Sequence, residues 1–533
     1  MKIIISDDLP ASAVSLLQEV SGWTVDARSG RPKQDLINDI ADADALLVRS
    51  ATKVTKDVID AANRLKIIAR AGSGVDNVDL EAASARGVIV TNAPGGNSIS
   101  VAEHAFALML SLARSVATAD ACMKQQRWEK KSLLGAELRD KTLGVVGFGR
   151  IGQALAHRAR AFGMRIIAHD PFIAAHVADD LDVELADLDS LCGRADYISL
   201  HLPNTEQTNR LFNAERFNKC KKGVRIINTA RGELIDEQAL LAALQSGHVG
   251  GAGLDVFQKE PPTDWALATF PRVVATPHIA ASTAEAQELV GLDVAAGVRD
   301  FLQHGVVRNA VNFASVPAEE FKRLHPFMVL GERLGQAAAQ LTQGRTDGIG
   351  IRYYGALAQG GNELIAGSVL VGFLRHVLSG GVTLVNARRL AAERGIDVVE
   401  TRSARTRRFT SLLSLKLHTS EGERWAEGTV FEPNSPRLVS VRGVDVEAPL
   451  AGTMLIISNE DQPGVIGEVG TILGKLGVNI ANFALGRNDS GAVGIVNVDE
   501  EASAKNALEQ AVEAIRRVPA VREVWLVRLP QQQ

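Results

Sequence analysis

The sequence predicts a multidomain α/β chain, and three observations carry that prediction. Over the first ~95 residues, short apolar strands alternate with helical patterns, as in a parallel sheet with covering helices. In the middle, the apolar run Leu143 to Val146 leads into Gly147, Gly149 and Gly152, then a helical pattern and a second strand, Arg165 to Ala168. Near the C-terminus, elements follow one another in a βαββαβ order.

Taken from the N-terminus, Lys2 to Ser6, Ala45 to Arg49, Ile67 to Ala69 and Val88 to Thr91 are the expected strands of a flavodoxin-like sheet. The segment Asn92 to Asn97 breaks the pattern. A long helix is expected from Ser100, capped by that hydroxyl with Glu103 three positions on, and the crossing is taken as a hinge into a second domain. A further long helix, Ala284 to His304, is expected to return the chain to the first domain, which would make that domain discontinuous, 1–97 with 284–312, around a doubly wound domain at 98–283. The region 313–450 holds helical stretches and an alternating strand, Ser411 to His418, and is expected to form an α+β unit. Its arginines (Arg402, Arg405, Arg407, Arg408, Arg437, Arg442) are open to two readings, a solvated basic face or an anion site. From 451 to 533 come a strand (Thr453 to Ser458), a helix to Leu476, a strand from Val478, a helix (Ala502 to Arg516) and a strand (Val521 to Val527), a ferredoxin-like order.

The glycine turn is the first functional signal. Gly147 permits the tight turn, Gly149 lets backbone approach a pyrophosphate, and Gly152 lets helix and strand pack closely, in the Rossmann manner. Asp170, 18 residues after Gly152, stands where an acid would bind ribose hydroxyls. It would repel a 2′-phosphate, and Pro171 to Ala175 contains no arginine to receive one, so NAD is expected rather than NADP.

Arg231, Glu260 and His278, in NTARGELID, DVFQKEPP and TPHIAAST, form the second signal. Hydride cannot leave a carbon bearing a hydroxyl unless a base takes the hydroxyl proton, and imidazole titrates near neutrality. A carboxylate on the far ring nitrogen would fix the tautomer and stabilise the imidazolium, the part given to Glu260. The planar fork of Arg231 suits a substrate carboxylate. His104, on a mostly apolar helical stretch, is read as a buried structural histidine and left out of this set.

Composition narrows the alternatives. At 533 residues the chain is too long for one core. A formal charge of −4 gives no global reason to expect nucleic acid or an anionic membrane as partner. Cys122, Cys192 and Cys220 are too few and scattered for a disulfide framework or a zinc site, so no metal is expected. No secretory pattern opens the sequence, and no apolar run reaches ~18 residues, so a cytoplasmic protein is expected.

With VGFGRIG, the HLPNT segment (His201 to Thr205), NTARG, GLDVF, EPP and PHIA in this order, the chain resembles the NAD-dependent D-2-hydroxyacid dehydrogenases. LLVRSATKVT (Leu46 to Thr55), ARAGSGVDNVD (Ala69 to Asp79), a C-terminal segment similar to an ACT domain, and an extra intervening region narrow the resemblance to the long-form branch acting on 3-phospho-D-glycerate. The resemblance implies that Gly149, Arg150 and Ile151 cover the pyrophosphate, that Pro203 lines the adenine pocket, that Ala230 borders the cofactor, and that Asp255 binds the nicotinamide carboxamide. It implies that Gly74 and Val75 receive the substrate carboxylate while Arg49 and Arg70 hold the 3-phosphate. Lys130 stands where related enzymes often carry an arginine, a departure that leaves it without an assigned role. In ACT domains an amino acid commonly binds around the first helix; Asp461 and Asn479 match those positions, which implies L-serine as effector and a homodimer or homotetramer.

Two other readings stand beside this one. A glyoxylate or hydroxypyruvate reductase would share the chemistry without needing Arg49 and Arg70. A non-catalytic NAD-responsive scaffold would retain the motifs without turnover.

Overall fold

The computed structural model describes residues 1–531 apart from 315, 343, 379–380, 432–433, 490 and 500–505. It contains four sheets. The first is parallel, with the order Thr24–Ala27, Lys2–Ile5, Ala45–Val48, Ile67–Arg70, Ile89–Asn92. Its central strands are buried on both faces, which explains continuous runs such as Ala45–Val48. The helix Ala284–His304 lies on this sheet, with Val290, Val294 and Val298 packed among Ile3, Ile5 and Leu47. Thr283 caps it by accepting from the Ala286 amide at 3.2 Å.

The second sheet is a seven-stranded parallel layer: Val273–Ala275, Val249–Leu254, Val224–Asn228, Tyr197–Leu200, Thr142–Val146, Arg165–His169, Glu184–Leu185. Separate apolar clusters cover its two faces, one around Leu143, Leu155 and Met109, the other around Ile198, Phe217 and Leu240. The strand order reverses between Thr142–Val146 and Tyr197–Leu200, and a doubly wound sheet opens its ligand crevice at such a point.

The helix linking the two domains is Ser98–Arg114, and the expected Ser100 cap is corrected. Because the helix starts at Ser98, Ser100 lies inside it, and its hydroxyl bonds Thr283 Oγ1 at 2.7 Å, joining the two interdomain helices near their N-terminal ends. Glu103 pairs with Arg158 at 2.8 Å instead of closing a capping box.

The third sheet is mixed, with Asp397–Ser403 parallel to Thr346–Gly355 and the rest antiparallel: Ser411–Thr419, Gly422–Phe431, Ser435–Val441, Val444–Pro449. Helices Ala318–Gln340 and Asn362–Val377 pack on it. The fourth, antiparallel sheet runs Ile480–Asn488, Gly491–Val498, Thr453–Asn459, Val521–Arg528. Helices Val465–Lys475 and Ala507–Arg516 cover one face; the expected start of the latter helix at Ala502 lies outside the described residues. Its other face, through Met454, Ile456, Ile495 and Trp525, joins the core of the third sheet. Buried Arg333 donates to Leu450 O at 2.9 Å and Gln531 O at 3.1 Å, tying a helix of one unit to the far end of the other. The intervening unit also touches the first domain: Thr383 donates to Gly87 O at 3.0 Å. No single helix among the described residues is long and apolar enough to cross a membrane.

Candidate active site

The glycine turn assigns each glycine a separate duty. Gly147 has φ +92°, a left-handed conformation, and a Cβ there would stand 2.6 Å from His201 O. A Cβ on Gly152 would meet Gly147 O at 2.3 Å, so helix and strand could not approach. Gly149 differs, with nothing within 4 Å of where its Cβ would stand. That open face, beside the amides of the helix Arg150–Ala161, fits a dinucleotide pyrophosphate. Arg150 is exposed, and Ile151 packs against the core beneath. Asp170 ends the neighbouring strand and turns back to the glycine loop, accepting from the Phe148 amide at 2.9 Å and the Phe172 amide at 2.9 Å. Pro203 is exposed beyond the strand Tyr197–Leu200, its carbonyl accepting from Thr208 Oγ1 at 2.7 Å. Just before it, His201 Nε2 lies 2.9 Å from Ser199 Oγ, and burial pushes its pKa down to about 4, so the ring is neutral at pH 7.

The chemistry-bearing residues converge from other strand ends. His278 Nδ1 lies 2.6 Å from Glu260 Oε2, with side chains 51% and 37% exposed, so the pair faces an open cleft. The carboxylate can only accept, hence Nδ1 donates and Nε2 is left to exchange protons. The Glu260 hydrogen bond, outweighing desolvation, raises the His278 pKa above its ordinary value. Burial pushes the Glu260 carboxyl up, but the bonds from His278 and the Phe257 amide prevail and hold it below its usual range.

The backbone at His278 is left-handed, φ +55°, an arrangement that costs about 1–3 kcal/mol for a non-glycine residue. Asp255 holds it there. Fully buried at the end of Val249–Leu254, Asp255 accepts from Thr276 Oγ1 at 2.6 Å and from the amides of Ile279 and Ala280 at 2.9 Å each, while its carbonyl accepts from the His278 amide at 2.8 Å. Burial alone would raise its pKa; the bonds from His104, Thr276 and these amides outweigh it and keep Asp255 charged. His104 thereby belongs to this network. Its Nε2 lies 2.9 Å from Thr276 Oγ1 and 3.4 Å from Asp255 Oδ1, a placement missed because the apolar helix around it offered only a structural reading.

Arg231 follows the strand Val224–Asn228. Asn228 shapes its turn, donating to Arg231 O at 2.8 Å and accepting from the Ala230 amide at 3.1 Å. Its Nη1 donates to Ala230 O at 2.7 Å within its own turn, and Nη2 crosses to the first domain, reaching Asp76 Oδ2 at 3.0 Å. A Cβ on Gly74 would lie 2.0 Å from Arg231 Nη2, so any side chain there would push the guanidinium aside. Val75 packs inward. Arg70 lies against Gly72, and its pKa is lowered first by burial and then by the charges of Arg231 and, more weakly, Arg49, against which Asp76 and Asp7 act in the opposite sense. Arg49 is held through its amide by Asp7 and through Nη1 by Asp8 O at 3.3 Å. Lys130 is exposed on a short 3-10 turn without a side-chain bond among the described residues.

The expected effector residues do not touch each other. Asp461, before the helix Val465–Lys475, lies 3.7 Å from Arg487; Asn479, after it, donates to Asp499 at 2.6 Å. In the intervening unit, Arg407, Arg408, Arg437 and Arg442 each have a carboxylate partner, which favours the solvated ion-pair reading for those four.

A dinucleotide turn and an imidazole–carboxylate pair at strand ends of one sheet, with Arg231 reaching over to a first domain that carries Arg49 and Arg70, are the parts of a hydride-transferring dehydrogenase of hydroxy acids. Residues 106–280 match the NAD binding domain of D-isomer specific 2-hydroxyacid dehydrogenases, 323–442 the D-3-phosphoglycerate dehydrogenase intervening domain, and 453–520 the ACT domain. The D-3-phosphoglycerate dehydrogenase of Methanocaldococcus jannaschii is 41% identical over 99% of this chain and 100% of its own length. That of Bacillus subtilis is 37% identical over 99% and 100%. Among solved structures, a glyoxylate reductase from Paecilomyes thermophila is 30% identical with a TM-score of 0.54, covering 58% of this chain and 98% of that one. The apo D-lactate dehydrogenase from Escherichia coli is 30% identical with a TM-score of 0.52, covering 58% and 100%. The chain belongs to the D-3-phosphoglycerate dehydrogenase family.

Proposed function

We propose that this protein oxidises 3-phospho-D-glycerate to 3-phosphohydroxypyruvate with NAD, the first committed step of L-serine synthesis, in the cytoplasm. The observation that carries the substrate assignment is that Arg70, on the first domain with Arg49, lies near Arg231, which reaches over from the domain bearing the His278–Glu260 pair. Three cations suit a ligand bearing both a carboxylate and a phosphate, and would be excessive for a glyoxylate or hydroxypyruvate reductase. Relatives named D-3-phosphoglycerate dehydrogenase that match along the whole chain support the same reading.

In this reading Arg231, with the amides of Gly74 and Val75, holds the carboxylate, and Arg49 and Arg70 take the phosphate. His278 Nε2 receives the C2 hydroxyl proton, and Glu260 stabilises the imidazolium so formed. NAD, when bound, accepts the hydride from C2. Gly147, Gly149, Arg150, Ile151 and Gly152 form its pyrophosphate cradle, Asp170 meets the ribose, and Pro203 and Ala230 border it. Asp255 anchors the loop of His278, and the family resemblance assigns it the nicotinamide carboxamide. L-Serine, bound about Asp461 and Asn479 in a homodimer or homotetramer, would regulate turnover.

The test follows NADH absorbance with 3-phosphoglycerate, D-lactate and D-glycerate, each with and without L-serine. Turnover preferring 3-phosphoglycerate by kcat/KM supports the proposal; equal use of the three acids, or no turnover, overturns it.

A further inference from the structure

The side chains of the loop carrying Gly74 and Val75 divide into two groups. Asn77 binds its own domain, donating to Arg49 O at 2.7 Å and Thr52 O at 2.6 Å, and Asp79 caps the next helix by accepting from the Ala82 amide at 2.9 Å. Asp76 does neither. It is 71% exposed and reaches across the cleft to Arg231 Nη2 at 3.0 Å. The ion pair sits directly over Gly74, since a Cβ there would stand 2.0 Å from Arg231 Nη2 and 2.7 Å from Asp76 Oδ2. A carboxylate against this guanidinium, above the Gly74 backbone, has the charge and place of a substrate carboxylate.

We infer that Asp76 is a positioning residue that occupies Arg231 while the cleft is empty and must be displaced when substrate binds. The inference rests on the proposed role of Arg231 toward the substrate carboxylate. Asp76 Oδ2 and Arg231 Nη2 stand together over Gly74, so a substrate carboxylate seated on Nη2 above the Gly74 backbone takes the place of Asp76. One carboxylate–guanidinium contact is then exchanged for another, so the carboxylate adds little net affinity and the phosphate contacts decide binding. The pair also keeps the long Arg231 side chain pointed into the cleft before the substrate arrives.

The experiment measures ligand binding to the NADH-loaded full chain by calorimetry. Asp76→Asn and Asp76→Ala should each lower Kd for 3-phosphoglycerate and for D-glycerate about two- to five-fold, the range of an exposed ion pair. Inorganic phosphate, which carries no carboxylate, should gain less than either acid. In an Arg231→Gln background the gain for D-glycerate, which has no phosphate for Arg70, should vanish. Unchanged or weaker binding of the two acids, an equal gain for phosphate, or a D-glycerate gain that survives Arg231→Gln overturns the inference. Failure of the parent enzyme to oxidise 3-phosphoglycerate would instead strike the proposed function, and the Asp76 inference would still be decided by D-glycerate binding.

Discussion

His278 donates from Nδ1 to Glu260 across 2.6 Å, while Asp255 fixes the left-handed backbone at His278 from below. Orientation of the ring and its proton affinity thus come from two different carboxylates. Glu260→Gln should keep the ring in place but remove the charge that raises its pKa. Oxidation needs the neutral imidazole, so kcat/KM rises as pH passes the raised pKa of His278. In Glu260→Gln that rise should move to lower pH, with a smaller limiting rate. In the reverse reaction, which needs imidazolium, activity should fail earlier as pH increases. An unmoved pH–rate profile would remove Glu260 from this role. His278→Ala should cost about 10²–10⁴-fold in kcat with NADH still bound, as read by fluorescence titration.

Arg49→Ala and Arg70→Ala should raise KM for 3-phosphoglycerate about ten-fold or more, each losing a charge-assisted contact. KM for D-lactate should change much less. Equal losses on both substrates would assign these arginines to folding.

Gly147→Ala and Gly149→Ala should separate fold from cofactor. The first forces a side chain onto φ +92° and against His201 O, so a loss of about 1–3 kcal/mol in stability is expected. The second meets no protein atom and should melt near the parent temperature while its Kd for NADH weakens. Thermal melts beside NADH titrations read both, and equal melting temperatures for the two variants would contradict the division of duties.

If L-serine regulates the enzyme as proposed, Asp461→Ala combined with Asn479→Ala should relieve that inhibition, a coupling of about 1–3 kcal/mol through cleft closure. Serine bound equally well by the double variant in calorimetry, or inhibition simply competitive with 3-phosphoglycerate, would overturn it.

Much of this was legible in the sequence because it is local. A strand buried on both faces is a continuous apolar run, and a glycine turn needs glycines at fixed spacing, so Ala45–Val48 and Gly147 to Gly152 could be recognised from neighbours alone. What was hidden depends on contacts between distant segments. Ser100 had the spacing of a capping box, yet its hydroxyl is taken by Thr283, 183 residues away. The edge strand Thr24–Ala27 has only partly buried or exposed positions and so carries no apolar run. His104 gains its place beside Asp255 from Thr276, and Asp76 meets Arg231 only across the cleft. No periodicity records such meetings.

The apolar face that the third and fourth sheets share has a consequence for anyone wishing to remove the C-terminal module. Ending the chain at Leu450 would not uncover a finished surface. It would strip Met454, Ile456, Ile495 and Trp525 from the partners they cover, and would deprive buried Arg333 of the Gln531 carbonyl. The shortened protein should show a lower melting temperature and concentration-dependent light scattering, even with its catalytic cleft untouched. The proposed effector role of Asp461 and Asn479 is therefore to be tested by point substitution, where side chains face water, because truncation would confound any change of control with aggregation.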